Sequence, residues 1–123
     1  SDVNSAIRFS TERLRQDIKN ASSVATPISG VASSTLNITV GGVIIIYDTF
    51  NGQLRRKEGA SSPVAVTNNS VTVDSLLFTR QENYNTTLQA TTTAVQIFMT
   101  LNYNSSSTDW IYSDTLRTTV SLR

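Results

Sequence analysis

Residues 1–24 read SDVNSAIRFSTERLRQDIKNASSV, and their periodicity sets the organisation expected of the rest. At 100° per residue Val3, Ile7, Leu14, Ile18, Ala21 and Ala25 fall within roughly 60° of one another, a narrow apolar stripe. Arg8, Glu12, Arg13, Arg15, Gln16 and Lys19 take the other side. The pattern predicts one solvated amphipathic helix over about residues 3–24, stopped by Thr26-Pro27 and Gly30. Arg8 with Glu12 and Arg13 with Asp17 are i,i+4 pairs of opposite charge, worth a few tenths of a kcal/mol each. Phe9 points to the polar side, either as a lone exposed aromatic or as a contact with a neighbouring molecule.

Beyond the helix the chain alternates like strand. Leu36, Ile38 and Val40 share one face over residues 35–40. Gly41-Gly42 and Asn51-Gly52 are two-residue hairpin signals, so residues 35–58 predict a three-stranded antiparallel meander. In that register Asp48 falls opposite Arg55, a favourable cross-strand pair. The apolar run Val43–Phe50 reads as a central strand buried on much of both faces. Leu36, Ile38, Val40, Val43, Ile45, Tyr47 and Leu54 form the better apolar face, on which the helix stripe is placed. Residues 59–69 predict a loop with a short strand at 64–66. Residues 71–80 predict a strand whose apolar phase switches, which requires a bulge near Asp74 and Ser75. Residues 81–93 are polar and read as a loop. Val95, Ile97, Met99, Leu101 and Tyr103 alternate as a clear strand, 104–108 as a loop, and Leu116, Thr118, Val120 and Leu122 as a closing strand. Trp110 and Tyr112 precede it and are expected to anchor the edge of the core.

Composition narrows the chemistry. With 123 residues and 38% apolar content, one domain can bury a self-sufficient core. Charged residues are only 15%, below the usual quarter, and Ser, Thr and Asn supply the polar surface instead. Such a surface fits an exposed β-protein and is commoner outside the cytoplasm. A net charge of +1 makes no strong demand for nucleic acid or an anionic membrane. There is no cysteine and no histidine. That removes disulfides, thiolate zinc sites, the commonest general base and every Ser-His-Asp or Cys-His arrangement.

The remaining candidates are weak. Lys19 and Lys57 sit on solvated elements, and neither reads as a buried catalytic amine. Asp48-Thr49 resembles the start of an aspartic-protease signature, but Phe50 stands where a glycine is needed. Arg55-Arg56-Lys57 is a small basic cluster whose alternation sends Arg56 to the opposite face from its neighbours; it reads as a solvated hairpin rather than a nucleic-acid site. Asn102, Asn104, Asp109 and Asp114 are oxygen donors without the spacing of a defined calcium loop. Asn20, Asn37, Asn68, Asn85 and Asn104 begin Asn-x-Ser/Thr triplets, expected by chance in such a composition. The expectation is a non-enzyme with no cofactor and no metal.

The stretch Ile7-Arg-Phe-Ser-Thr-Glu-Arg-Leu-Arg-Gln-Asp-Ile-Lys-Asn-Ala21 resembles the exposed half of the N-terminal helix of minor pseudopilins and minor pilins. It is similar to the J-type subunit of type II secretion and the W-type subunit of type IV pili. The later order resembles that family too: residues 35–40, the Asn51-Gly52 hairpin, Leu76-Leu-Phe-Thr-Arg80, and the ending Leu116-Arg-Thr-Thr-Val-Ser-Leu-Arg123. The resemblance covers nearly the whole chain, in pattern and order rather than by an invariant signature. It implies an α+β, pilin-like fold, with an N-terminal amphipathic helix packed on antiparallel sheet. Residues 1–123 would then form a single soluble domain, helix about 3–24 and β-rich part about 35–123.

The resemblance also implies a segment upstream of Ser1: a basic leader, a prepilin-type processing and N-methylation site, and about twenty apolar residues that span the inner membrane. The implied role is structural, in a type IV pilus-like filament or a type II secretion pseudopilus. Its partners would be other pilin or pseudopilin subunits, in an extracytoplasmic setting, anchored in the inner membrane before assembly. On this reading Val3, Ile7, Leu14, Ile18, Leu36, Ile38 and Ile45 hold helix to sheet, and Phe9, Arg13 and Gln16 are candidates for subunit contact. Two family features are missing: the C-terminal disulfide of many major pilins and the calcium loop of major pseudopilins. The alternative role is an extracytoplasmic β-rich adhesion or ligand-binding module, using the loops at 81–93 and 104–108.

Overall fold

The helix ends sooner than its apolar stripe predicts. A computed structural model describes residues 2–67, 71–103 and 113–122, and of residues 2–7, 10 and 103 only the backbone. Helix α1 spans Asp2–Asn20, and the chain passes directly into strand β1, Ala21–Thr26. Ser22, Ser23, Val24 and Thr26 suit extended backbone better than helix. Extension lets β1 pair with β3, Leu36–Val40, with Ala21 opposite Val40 and Val24 opposite Ile38. Burial then departs from the stripe: Ala21 and Val24 are buried, three positions apart across a register shift between Ala21 and Ser23, while Ala25, expected in the helical stripe, is exposed.

The remaining strands are β2 (Ala32–Ser33), β4 (Val43–Phe50), β5 (Gln53–Glu58), β6 (Val64–Ala65), β7 (Val71–Asn85), β8 (Ala90–Tyr103) and β9 (Ser113–Ser121). They form a five-stranded sheet of order β1-β3-β4-β5-β6 and a four-stranded sheet of order β2-β7-β8-β9. All the ladders are antiparallel. The expected α+β, pilin-like class is therefore overturned. The described chain is mostly β, built as two sheets, with a single helix of 19 residues. Two stretches of polar sequence account for the difference: β1 carries a spacing that also fits helix, and residues 81–93 lack the alternation that marks a half-buried strand.

Both tight turns take the expected form. Gly41 and Gly42 have φ of 57° and 80°, and Asn51 and Gly52 have 52° and 73°, as type I′ hairpins require. Asp48 lies opposite Arg55, and the β7–β8 register shifts between Val73 and Ser75, where the apolar phase changes. A Cβ on Gly52 would come within 2.7 Å of Thr72 Cγ2, so this turn is both left-handed and closely docked on β7. Val73 N–H donates to Gly52 O at 2.8 Å there, joining the β4–β5 turn of one sheet to β7 of the other.

The core lies between the sheets. Leu36, Ile38, Ile45, Tyr47 and Leu54 come from the first, and Val73, Leu76, Phe78, Val95, Ile97, Met99 and Leu101 from the second. α1 touches β3, β8 and β9, and so meets both sheets. Leu14 and Ile18 are fully buried in the same cluster. β4 is central in its sheet, but only one face of it is covered: Ile45 and Tyr47 are buried while Ile44 and Phe50, on the other face, are exposed, and Val43, expected on the buried face, is exposed at the end of the strand. The expectation of burial on both faces fails because nothing among the described residues lies on the outer side of this sheet.

Residues 81–93 do not form a loop. Gln81 pairs with Ala94, and the ladder runs on to Asn85 with Ala90. Residues 86–89 turn the chain, with Leu88 N–H donating to Asn85 Oδ1 at 3.0 Å. Every residue from 81 to 92 is exposed. β7 and β8 thus leave the core together as a two-stranded arm.

Candidate functional site

α1 has two sides with different tasks, and the boundary between them is chemical. On the inner side Leu14 and Ile18 enter the core, with Asp17 beside them at 8% exposure. A carboxylate so buried needs charge-assisted partners. Arg56 provides them: its Nε donates to Asp17 Oδ2 at 2.8 Å and its Nη2 to Oδ1 at 3.3 Å. The Tyr47 hydroxyl donates a short hydrogen bond to Oδ2. Burial, followed by the hydrogen bond and the charge of Asp17, pushes the Tyr47 phenol far above its ordinary value. The Asp17 hydrogen bond holds the Arg56 guanidinium above its own, against the opposing effect of burial.

This latch joins α1 to β4 and β5. The sequence pairs Asp17 with Arg13; the structure gives it to Tyr47 and Arg56 instead. Alternation along 55–57 does send Arg56 inward, and that is the one local signal of its role. Its partner lies 39 positions away, beyond any local pattern.

The outer side is open. Phe9 is 63% exposed, and Arg8, Glu12, Arg13, Arg15, Gln16 and Lys19 are exposed as well. Phe9 and Arg13 form one wall of a groove of about 400 Å³. Arg56, Glu58, Ser61, Val64 and Val66 form the other, from β5, β6, their connection and the residue after β6. Of the three residues expected at a subunit contact, Phe9 and Arg13 therefore share a groove. Gln16 stands apart, with its amide 3.4 Å from Glu12 Oε1.

Other candidates are dispersed. Arg55 lies on the outer face of the sheet, with its Nε and Nη2 on Asp48 at 3.0 and 2.9 Å and its guanidinium 4.6 Å from the centre of the Phe50 ring. Arg55 and Arg56 thus point to opposite faces, each already paired, and the basic cluster is not one patch. Leu14, Ile18, Leu36, Ile38 and Ile45 are all in the core. The side chains of Val3 and Ile7 lie outside the described residues, as do Asn104, Asp109, Trp110, Tyr112 and the loop at 104–108. Among the described residues no three acidic side chains come together as a metal site. No described helix is long and apolar enough to cross a membrane.

The class defined is a mostly β, two-sheet domain whose described helix is held by one side and open on the other. The chain matches no protein-family model, no curated protein and no solved structure.

Proposed function

We propose that the domain is a structural subunit of an extracytoplasmic filament, the role of a minor pilin or pseudopilin, joined to neighbouring subunits along the outer side of α1. The observation that carries this reading is the division of α1. A helix whose inner side is fixed by Leu14, Ile18 and the Asp17 latch presents Phe9 in a constant position. Aromatic residues, Phe among them, and Arg are enriched in protein interfaces. On this reading the partners are other subunits of the same filament, and an upstream apolar helix anchors the chain in the inner membrane before assembly.

A photo-crosslinking residue in place of Phe9, in the full-length protein in its native membranes, tests the proposal. The expected product is an adduct with another filament subunit, competed away by no soluble ligand. An adduct at position 9 with lipid alone, or none while position 88 captures a surface receptor, would overturn it. The second outcome would favour an adhesion or binding module, for which the exposed Tyr84 and Leu88 on the arm are the relevant observation.

A further inference from the structure

The arm formed by residues 81–93 has no role in the core and none in the α1 groove. Its backbone is strand, yet it meets few of the conditions under which a strand persists. An isolated two-stranded ribbon is marginal in water, and three or more strands with an apolar face, or packing against a helix, are normally required. Here neither face is covered, since residues 81–92 are all exposed. Nor is the edge of β7 covered. β2 pairs with β7 only at Phe78 and Thr79, and a lone bridge joins Ser29 to Arg80. Beyond Arg80 the outer edge of β7, over residues 81–85, has no ladder partner among the described residues.

Natural edges are usually protected by lysine, proline, a bulge or an inward charge. Residues 81–93 read QENYNTTLQATTT and hold no lysine, arginine, proline or glycine. The ladder there is regular, the bulge being confined to Val73–Ser75. The one charge, Glu82, forms an ion pair with Arg80 at the base of the arm. An approaching strand therefore meets a neutral, unblocked edge.

We infer that the β7 edge of this arm pairs with the same edge of a second copy of the chain, in antiparallel register about Asn83. The sequence is self-compatible in that register. Asn83 faces Asn83, Glu82 faces Tyr84 and Gln81 faces Asn85, so no like charges are opposed. Two ribbons become one four-stranded sheet, in which the open backbone groups along both β7 edges find partners. Antiparallel pairing leaves the two bodies at opposite ends of that sheet. Backbone pairing supplies the attraction, as in other strand-addition contacts. Five residues on each side bury far less than the roughly 1,200 Å² of a stable complex. The contact is accordingly weak between isolated domains and strengthens where copies are held close together.

The absence of cysteine gives a clean test. Across a two-fold antiparallel pair, residue 83 of the two copies stands within disulfide reach. Asn83→Cys in the isolated domain under mild oxidation should form covalent dimer on the order of tenfold faster than the exposed control Ser34→Cys, because pairing lifts the local thiol concentration. An equal mixture of Gln81→Cys and Asn85→Cys should give the mixed dimer far above its statistical share, which reads the register. Equal rates for Asn83→Cys and Ser34→Cys, or a statistical mixture from the second experiment, would overturn the inference. Both tests leave Phe9 untouched, so their outcome is separate from that of the filament reading.

Discussion

β7 and β8 run side by side for fourteen paired positions, yet their two ends live in different environments. From Val71 to Phe78 and from Val95 to Leu101 alternate side chains fill the core, at or near zero exposure. From Gln81 to Asn85 and back to Thr92 nothing is buried. The β7–β8 ladder continues through both halves, interrupted only by the bulge between Val73 and Ser75. The difference is the apolar area removed from water, which at about 25 cal/mol per Å² is the dominant stabilising contribution. The core half is joined to α1 through Leu14 and Ile18, and the latch of Asp17, Tyr47 and Arg56 fixes the helix from the other sheet. The domain thus divides into a dry junction that carries stability and two projecting surfaces, the arm and the outer side of α1, that contribute little to it.

Substitutions should separate these regions sharply. Leu14→Asp places a charge without a partner among both sheets and should abolish cooperative folding, a loss of about 5 kcal/mol or more. A far-UV circular dichroism melt with an unchanged midpoint would mean that α1 is not part of the core. Arg56→Ala leaves Asp17 buried beside Tyr47 alone and should cost about 3 kcal/mol in urea denaturation. Arg56→Lys, which keeps the charge but not the two-pronged geometry, should recover only part of it.

Alkaline pH probes the same latch more gently. The folded protein holds the Tyr47 proton well past the ordinary tyrosine value of 10.0. Its contribution is complete below about pH 10 and is lost as pH rises beyond that, by about 1.4 kcal/mol per pH unit. Tyr47→Phe should remove that slope while lowering stability at neutral pH. At the small end, Leu88→Ser and Tyr84→Ser in the arm should each shift stability by less than about 0.5 kcal/mol, because neither side chain leaves water on folding. A large loss from either would mean that the arm packs against something in the monomer.

The contrast also explains which elements are legible in the sequence. Alternation reports burial on one face, so it reveals the meander from residue 36 to 58, the strand at 95–101 and the bulge near Asp74. It is silent about strands that bury nothing, and the arm, with polar residues on both faces, looks like a loop. The helix is overextended for a related reason. Ala21 suits either periodicity, and only pairing with β3, a tertiary event, shows that the spacing from Ala21 to Val24 belongs to a strand. These two ambiguities together make a mostly β domain look α+β. For the candidate site, the exposure of Phe9 follows from its place on the wheel. The groove facing it does not, because β5 and β6 lie some forty to fifty-five positions further along the chain. Helical spacing gives Asp17 to its neighbour Arg13, and no local pattern shows that Arg56 claims it.

Amide hydrogen exchange, read residue by residue on the dilute domain, tests this division most directly. Amides at 95–101 and at Leu14 and Ile18 should exchange only through global unfolding, with one shared protection and a common response to denaturant. Those at 81–85 and 90–92 should exchange far faster, through local opening that denaturant barely affects. Uniform protection along the whole of β7 and β8 would contradict the division into junction and arm, as would rapid exchange at Leu14 and Ile18.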